Sequence, residues 1–280
     1  MFYLLNRFIQ MKILYSNNDL NEALNNVTKL GFVPTMGSLH KGHLSLIKRS
    51  KKECNKTLVS IFVNPTQFNN KNDYKSYPKN ISRDLSLLKK LNVNFVFIPN
   101  KKDIYNLKKK TKIRINNKDK ILCAKFRKGH FEGVIDVMNR LINLIKPKKI
   151  FMGEKDFQQL YLVKKYIENK YKSLIIPCKT IRDKNKLALS SRNLFLKKDD
   201  LMLAGKIAQN LVFFKSNLVK KKNIKNLIAS KKDYLIKSFN LSIEYLELRN
   251  KNSLKKNNKL KNSKLFIAYY INKIRLIDNF

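Results

Sequence analysis

The first 180 residues alternate short apolar runs with segments of helical periodicity. Runs rich in β-branched and aromatic residues predict strands, whereas apolar residues repeated every three or four positions predict helices. The predicted strands are GFVPT (31–35), 57–63, 94–98, 149–152 and 173–177, and the predicted helices are 44–54, 81–91, 134–145 and 157–170. Strands without polar alternation have both faces buried, which indicates βαβ units and a parallel sheet.

The spacing changes near residue 181. Segments 199–215 and 223–239 predict helices, and SIEYLELR (242–249) and LFIAYYI (265–271) predict strands separated by a loop rich in Lys, Asn and Ser. We therefore expect an α/β fold, with a doubly wound parallel sheet in residues 1–180 and a smaller α+β C-terminal domain in residues 181–280.

The N-terminal stretch MFYLLNRFIQMKIL is apolar but short, and Arg7 interrupts it. It fits neither a signal peptide nor a membrane span, and no other run reaches about 18 apolar residues. If translation starts at Met11, residues 1–10 are an extension. Cys54, Cys123 and Cys178 lie far apart, outside any disulfide or zinc spacing, so we expect a cytoplasmic protein without a membrane partner.

The chain carries 61 Lys and Arg against 19 Asp and Glu, a net charge of +42. A polyanion-binding face is one interpretation of this charge. However, 51 of the basic residues are Lys and only 10 are Arg, the side chain that reads phosphates and bases bidentately. Lysine runs such as 108–110 and 220–222 are scattered, so compositional drift is the favoured explanation. We expect non-specific RNA binding at low salt but no specific nucleic-acid partner.

The segment TMGSLHKGH (35–43) follows the first of these strands and opens a predicted helix. Ligands of doubly wound sheets bind beyond the carboxyl ends of the strands, where a helix N-terminus favours an anion. Gly37 and Gly42 allow close approach of a nucleotide to the backbone, and His40 and His43 share one helix face. These imidazoles could stabilise charge that develops as an α-phosphorus is attacked. The alternative is a turn with incidental surface histidines.

Three further segments carry side chains suited to small polar substrates: SIFVNPTQF (60–68), MGEKDFQQL (152–160) and LALSSRN (187–193). The amides of Asn64 and Gln67 could hold a hydroxy acid without adding charge. Lys155 offers a cation for phosphates and Asp156 an acceptor, with Gln159 one turn further on. The third segment supplies two hydroxyl groups and an arginine, which suit β- and γ-phosphates. Taken singly, these residues could equally be helix caps and solvated charges.

Taken together, seven segments resemble the pantoate–β-alanine ligase (pantothenate synthetase) family in order and spacing: PTMGSLHKGH, SIFVNPTQF, YPKNISRDL, FRKGHFEGV, FMGEKDFQQL, LALSSRN and RLIDN. The resemblance runs from about residue 31 to the end. It implies a Rossmann-like N-terminal domain, a smaller domain that closes over ATP, and a homodimer. It also implies two reactions: pantoate and Mg-ATP give pantoyl adenylate and pyrophosphate, and β-alanine then displaces AMP to form pantothenate.

Carried over position by position, the resemblance implies an ATP site formed by Met36, Gly37, Ser38, Leu39, His40, Lys41, Gly42, His43, Gly153, Glu154, Lys155, Asp156, Ile181, Leu189, Ser190, Ser191 and Arg192. The family assigns proton donation to His43, with His40 and Lys155 on phosphate. Gln67 and Gln159 match pantoate-binding glutamines, and Gln67 also lies near β-alanine. Asp84 is a candidate Mg²⁺ ligand.

Adenylation needs no proton transfer to a pyrophosphate neutralised by Mg²⁺ and Lys155, so we assign His43 an electrostatic role.

Five positions depart from the family's usual residues without removing a chemical group: Lys128, Asp136, Asn185–Lys186, Leu189, and a missing glycine before the final strand. We therefore expect a lower melting temperature than is usual in the family.

Two other functions remain open on the residues alone. A nucleotidyl transferase of the same wider superfamily would leave AMP on its product, whereas the ligase would release free AMP. A non-enzymatic basic RNA-binding protein would bind tightly in salt and be indifferent to His43→Ala.

Overall fold

The computed structural model describes residues 10–105, 113–218 and 223–280. The lysine runs at 108–110 and 220–222, and all but the last residue of the possible extension 1–10, lie outside the described residues. Within these ranges, no helix combines the length and the apolar character needed to cross a membrane.

Nine strands form in the described chain: β1 (Lys12–Leu14), β2 (Leu30–Thr35), β3 (Lys56–Ile61), β4 (Phe95–Phe97), β5 (Lys149–Gly153), β6 (Leu174–Cys178), β7 (Ser242–Asn250), β8 (Ser263–Ile271) and β9 (Ile274–Asn279). The helices of the same residues are α1 (Asn17–Leu24), α2 (Lys41–Glu53), α3 (Lys71–Ser76), α4 (Ile81–Lys90), α5 (Lys101–Tyr105), α6 (Cys123–Phe126), α7 (His130–Ile145), α8 (Phe157–Val163), α9 (Lys198–Asn217) and α10 (Ile224–Phe239). Short 3₁₀ turns at 65–67 and 154–156 follow β3 and β5, and a π-helical turn, Lys164–Glu168, continues α8.

The first six strands form one parallel sheet in the order β1–β4–β3–β2–β5–β6. The chain leaves β2 toward β3 and β4 on one side and returns to β5 on the other side. Strand order therefore reverses between β2 and β5, and the loops that follow these strands diverge to form a crevice. The predicted doubly wound α/β fold is confirmed.

Helices cover both faces of this sheet, as the strands without polar alternation predict. One core includes Phe32 and Ile150 from the sheet, and α7 contributes its apolar face, including Ile135 and Ile142. The core on the opposite face includes Val33 and residues of α2 and α4. Both faces of β2 are therefore buried, which fixes the direction in which its following loop leaves the sheet.

Strands β7, β8 and β9 form a separate antiparallel sheet in that order. Helices α9 and α10 pack on it around a core that includes Ile207, Leu235 and Ile267. The opposite side of this sheet faces the first core, to which Tyr245 and Phe266 contribute. The small sheet therefore packs against the large one and brings the end of the chain close to the crevice.

Candidate functional site

A cavity of about 300 Å³ opens at the carboxyl ends of β2 and β5. Its walls come from the segments that follow β2, β3 and β5, from residues 187–193, and from the last strand, β9. The crevice predicted by the strand order therefore contains the four segments that sequence analysis singled out.

The loop after β2 is held by side chains from neighbouring strands and helices. Gly37 has φ +80° and Ser38 has φ +52°, and only glycine adopts such values without strain. The Thr35 hydroxyl accepts a hydrogen bond from the Gly37 N–H at 3.2 Å. The buried carboxylate of Asp84 accepts from the N–H groups of Ser38 and Leu39 at 2.7 and 2.8 Å. The loop geometry is thus fixed before any ligand binds.

His40 and His43 cap the N-terminus of α2 and lie side by side, with ring centroids 4.1 Å apart. Nδ1 of His40 accepts from the Gly42 N–H at 3.1 Å, and Nδ1 of His43 accepts from the His40 N–H at 3.4 Å. Because Nδ1 of each ring accepts a hydrogen bond, the proton of each neutral imidazole is on Nε2. Both rings line the cavity and are therefore equipped to donate a hydrogen bond to a ligand.

Both histidines are neutral at physiological pH. Burial, with a further contribution from the charge of Lys155, lowers the pKa of His40 to about 4. Burial and the neighbouring His40 lower the pKa of His43 to about 3. Neutral imidazoles donate hydrogen bonds to developing negative charge without the large desolvation cost of imidazolium ions.

Lys155 and Asp156 lie in the 3₁₀ turn after β5 and also line the cavity. Lys155 Nζ contacts Asp156 Oδ1 at 3.2 Å. Burial would raise the pKa of Asp156, but neighbouring groups, chiefly the charge and hydrogen bond of Lys155, lower it overall. The side-chain amide of Asn279, near the chain end, donates to the carbonyls of Glu154 and Lys155 at 2.9 Å each. The second sheet therefore holds the loop that carries the lysine.

Gln67 lies in the 3₁₀ turn after β3, beside the loop of Met36, and its amide contacts Met36 Sδ. Asn64, which is buried, begins this turn and contacts the Gln67 side chain at 3.4 Å and the Gly133 carbonyl at 3.2 Å. A side chain at Gly133 would collide with the Thr66 carbonyl. The glycine of α7 therefore permits the close packing that places Gln67 on the cavity wall.

Arg127 and His130 complete this wall. His130 Nδ1 donates to the Gln67 carbonyl at 2.6 Å, which leaves Nε2 free to accept from Arg127 Nη1 at 2.8 Å. Burial and the charge of Arg127 lower the pKa of His130 to about 3, so this ring is neutral as well. His130 thus connects the backbone of Gln67 to the Arg127 guanidinium.

Residues 187–193 close the opposite side of the cavity. The Leu189 N–H donates to the Ile181 carbonyl at 3.0 Å, which ties this segment to the strand-like stretch before it. The Ser191 hydroxyl donates to the Ser38 carbonyl at 3.1 Å, and Arg192 pairs with Asp73 at 3.0 Å. This segment therefore contacts the histidine loop directly.

Most of the residues predicted for the site meet at the cavity: Met36, His40, Gly42, His43, Gln67, Gly153, Lys155, Asp156, Gln159, Ile181, Leu189, Ser190, Ser191 and Arg192. Six others, among them Asp84, are not part of this lining. Leu39 is fully buried in the core between the sheet and α2, and Gly37 and Ser38 form the turn beneath the histidines. Lys41 is exposed, and the Glu154 carboxylate pairs with Lys264 at 3.3 Å.

Sequence reasoning missed several lining residues, among them Tyr77, Arg127, His130 and Asp278. The segments FRKGHFEGV and YPKNISRDL resemble family motifs, but their residues alone indicate no role for Arg127, His130 or Tyr77. Their position on the cavity depends on contacts between residues about 60 positions apart, such as His130 with Gln67. Spacing along the chain could not reveal these contacts.

The acidic groups near the cavity do not form a cage for a metal ion. Both Asp84 oxygens accept backbone N–H bonds, and Asp156 and Asp73 pair with Lys155 and Arg192. No cluster of three or more His, Cys, Asp or Glu side chains suited to a metal occurs in the described parts of the chain. These contacts indicate that Asp84 holds the loop in shape. They make Asp84 a poor candidate for a direct Mg²⁺ ligand.

The fold and the cavity define a nucleotide-binding α/β enzyme with paired histidines at a helix N-terminus. Residues 12–280 match the family model described as Pantoate-beta-alanine ligase, and the chain belongs to this family. A pantothenate synthetase of Francisella tularensis subsp. mediasiatica is 40% identical over 270 residues, which cover 94% of this chain and 93% of that protein.

Two solved structures support the same assignment. Pantothenate synthetase from Thermus thermophilus superposes with a TM-score of 0.89 at 28% identity, covering 96% of this chain and 99% of that one. Pantoate-beta-alanine ligase from Francisella tularensis, complexed with beta-gamma ATP and beta-alanine, gives a TM-score of 0.81 at 38% identity and covers 97% of both chains. The family resemblance drawn from the sequence motifs is confirmed.

Proposed function

We propose that this chain condenses (R)-pantoate with β-alanine at the expense of ATP, through a pantoyl-adenylate intermediate. The observation that carries the proposal is the pair of neutral histidines, each with its proton on Nε2, that line the cavity together with Lys155, Gln67 and Gln159. Family membership supports the same reaction. The products are pantothenate, AMP and pyrophosphate.

In the first step, a carboxylate oxygen of pantoate attacks the α-phosphorus of ATP, and the bond to the oxygen that bridges to the β-phosphorus breaks. Negative charge then accumulates on the α-phosphate oxygens and on the departing pyrophosphate. The Nε2–H groups of His40 and His43 donate hydrogen bonds to these oxygens, and Lys155 adds a positive charge. Ser190, Ser191 and Arg192 bind the β- and γ-phosphates. We assign no proton transfer to His43, because its lowered pKa keeps it neutral.

In the second step, the β-alanine amine attacks the acyl carbon of the adenylate. The bond between that carbon and the phosphate oxygen breaks, AMP leaves as an anion, and the amine nitrogen loses a proton. Gln67 and Gln159 hold the pantoyl group, and Gln67 also approaches β-alanine. Positioning of the two substrates in turn within the cavity supplies much of the rate enhancement.

We propose that Mg²⁺ enters with ATP, bound mainly by phosphate oxygens and water, as is usual for this ion. The backbone of Ile181 is proposed to contact adenine.

We further propose that residues 1–180 and 181–280 are separate domains, that the protein is a homodimer and that it works in the cytoplasm. The homodimer rests on family resemblance and the location on the isolated cysteines, and sedimentation velocity at micromolar concentration tests the homodimer.

The test of the reaction is pantoate-dependent exchange of pyrophosphate into ATP in the absence of β-alanine. We expect exchange by the wild-type protein, and a loss on the order of 100-fold or more in His43→Ala, because a donor to the transition state is removed. The exposed residue Lys48 provides a control, Lys48→Ala, which should retain exchange. A folded wild-type protein that shows no exchange would refute the proposed function.

A further inference from the structure

Arg127 differs from the other cations that line the inner cavity. The others each have an acidic partner: Lys155 has Asp156 at 3.2 Å, Arg192 has Asp73 at 3.0 Å, and Arg275 has Glu244 at 2.6 Å. Lys179 lies exposed at the rim. Among the described residues, Arg127 has no carboxylate within 4.0 Å, and its hydrogen-bond partners are neutral groups.

The guanidinium of Arg127 is nevertheless fixed in place. Its Nη1 donates to His130 Nε2 at 2.8 Å, and its Nη2 lies 3.5 Å from the Gln67 carbonyl. These contacts use only part of its five N–H donors. Burial and the positive charges of Arg192 and Arg275 lower the pKa of Arg127 to about 10, so it stays protonated at neutral pH. A partly desolvated cation near two like charges is costly, and a bound anion would offset that cost.

The reaction offers two kinds of anionic group as partners. The phosphates of ATP lie with the histidine loop, Lys155 and the segment 187–193 in the proposed mechanism. The carboxylate of pantoate loses its charge when the mixed anhydride forms. The carboxylate of β-alanine, by contrast, remains charged in substrate, transition state and product, and so needs a permanent partner.

The location of Arg127 favours the β-alanine carboxylate. Arg127 lies in the turn between α6 and α7 and is coupled through His130 to Gln67, the glutamine expected near β-alanine. The same cavity is also lined by Leu122 and Phe131, which lie a few residues from Arg127 in the chain and are apolar, and this suits two methylene groups. We propose that Arg127 binds the carboxylate of β-alanine and thereby selects an amine that carries a carboxylate.

This inference rests on the proposed function and adds a consequence for the second step. A carboxylate anchored on the guanidinium would direct the amine at the other end of β-alanine toward the acyl carbon. The nearby positive charge would also disfavour the ammonium form of the substrate, so more of it would be present as the attacking free amine.

The experiment separates the two half-reactions in wild type, Arg127→Gln and the control Arg114→Gln, whose arginine is exposed. Pantoate-dependent exchange without β-alanine reports the first step. Amide formation with β-alanine and with β-alaninamide, its uncharged analogue, reports the second. In Arg127→Gln, we expect exchange within about 3-fold of wild type and a KM for β-alanine raised at least about 30-fold. The rate with β-alaninamide should be nearly unchanged, so the preference for the acid collapses.

Two outcomes overturn the proposal. If Arg127→Gln loses exchange while remaining folded, Arg127 serves the ATP phosphates or pantoate. If the variant keeps the wild-type preference for β-alanine over β-alaninamide, the carboxylate binds elsewhere. Should Arg127→Gln not fold, Arg127→Lys takes its place: a reduced preference supports the proposal and an unchanged preference overturns it. Failure of the proposed function is distinguishable, because wild type itself would then show no exchange.

Discussion

Asp84 determines the position of both cavity histidines although it contacts neither ring. Each of its carboxylate oxygens accepts a backbone N–H from the loop, one from Ser38 and one from Leu39. Ser38 has φ +52° and Gly37 has φ +80°, so the loop needs external support to keep this shape. The carboxylate provides that support from α4, so one residue of this helix holds the loop that carries the histidines.

We expect Asp84→Asn to destabilise the protein by about 1–3 kcal/mol, because one buried N–H loses its acceptor and meets an amide donor instead. Pantoate-dependent exchange should fall as the histidines shift. Urea unfolding without Mg²⁺, together with exchange assays, measures both effects, and exposed Asp233→Asn is the matched control. Unchanged stability combined with a raised Mg²⁺ requirement would instead identify Asp84 as a metal ligand.

At this scale, the sequence predicted the residue types that carry the chemistry but not their supports. His40, His43, Lys155 and Gln67 were recognisable because they follow predicted strands in short motifs. The protonation of the histidines was not predictable, because it depends on which backbone N–H groups each ring accepts and on burial. The roles of Asp84 and His130 likewise arise from contacts between distant segments.

At the scale of elements, the turn before the segment 187–193 carries a strained residue. The Asp183 N–H donates to the Leu187 carbonyl across this turn, and the Lys186 N–H donates to the Asp183 carbonyl at 3.1 Å. The strained residue is Lys186, which has φ +66°. This is a type I turn followed by a left-handed residue, a position at which glycine is favoured. The departure at Asn185–Lys186 noted in the sequence therefore has a definite structural consequence.

Lys186→Gly should stabilise the protein by about 1 kcal/mol, because glycine adopts positive φ without the steric cost borne by lysine. Lys184→Gly is the matched control: it lies in the same turn without a positive φ, so glycine there should give no gain. Thermal and urea unfolding measure both variants. Equal effects of the two changes would show that the strain at Lys186 is negligible.

Element prediction succeeded for the strands and long helices of the large sheet except at its N-terminal end. The strands β2, β3 and β5 and the helices α2, α4 and α7 were predicted to within four residues at each end. The edge strand β1, only three residues long, and the helix α1 were missed. The predicted helix 157–170 changes to a π-helical turn after Val163, which periodicity cannot distinguish from an α-helix. Helix α1 does carry a capping box, Ser16 with Asp19, which could have located its start.

At the scale of the whole molecule, the cavity keeps specific ion pairs in a chain whose net charge is +42. The acidic residues near the cavity are engaged with specific cations, as in Arg192–Asp73 and Arg275–Glu244. The doubly wound architecture followed from the order of strands and helices in the sequence. The packing of the second sheet against the cavity did not, since it depends on contacts such as Asn279 with the carbonyls of Glu154 and Lys155.

The three histidines of the chain should make its stability fall as the solution becomes mildly acidic. Burial lowers the pKa of His40 to about 4, and those of His43 and His130 to about 3. The unfolded chain binds protons at histidine below pH of about 6.5, whereas the folded chain does not, so the free energy of unfolding decreases with falling pH.

His130 alone should cost about 2 kcal/mol between pH 7 and pH 5, given its burial and an unfolded pKa near 6.5. Urea unfolding at pH 7, 6 and 5 measures the change, and proton uptake on unfolding at pH 5.5 checks its origin. We expect the urea midpoint to fall at each step and unfolding to take up more than one proton. A midpoint that stays level or rises toward pH 5 would mean that the folded protein binds protons at its histidines. The neutral Nε2–H donors assigned to His40 and His43 would then be wrong, and with them the electrostatic role given to His43 in adenylation.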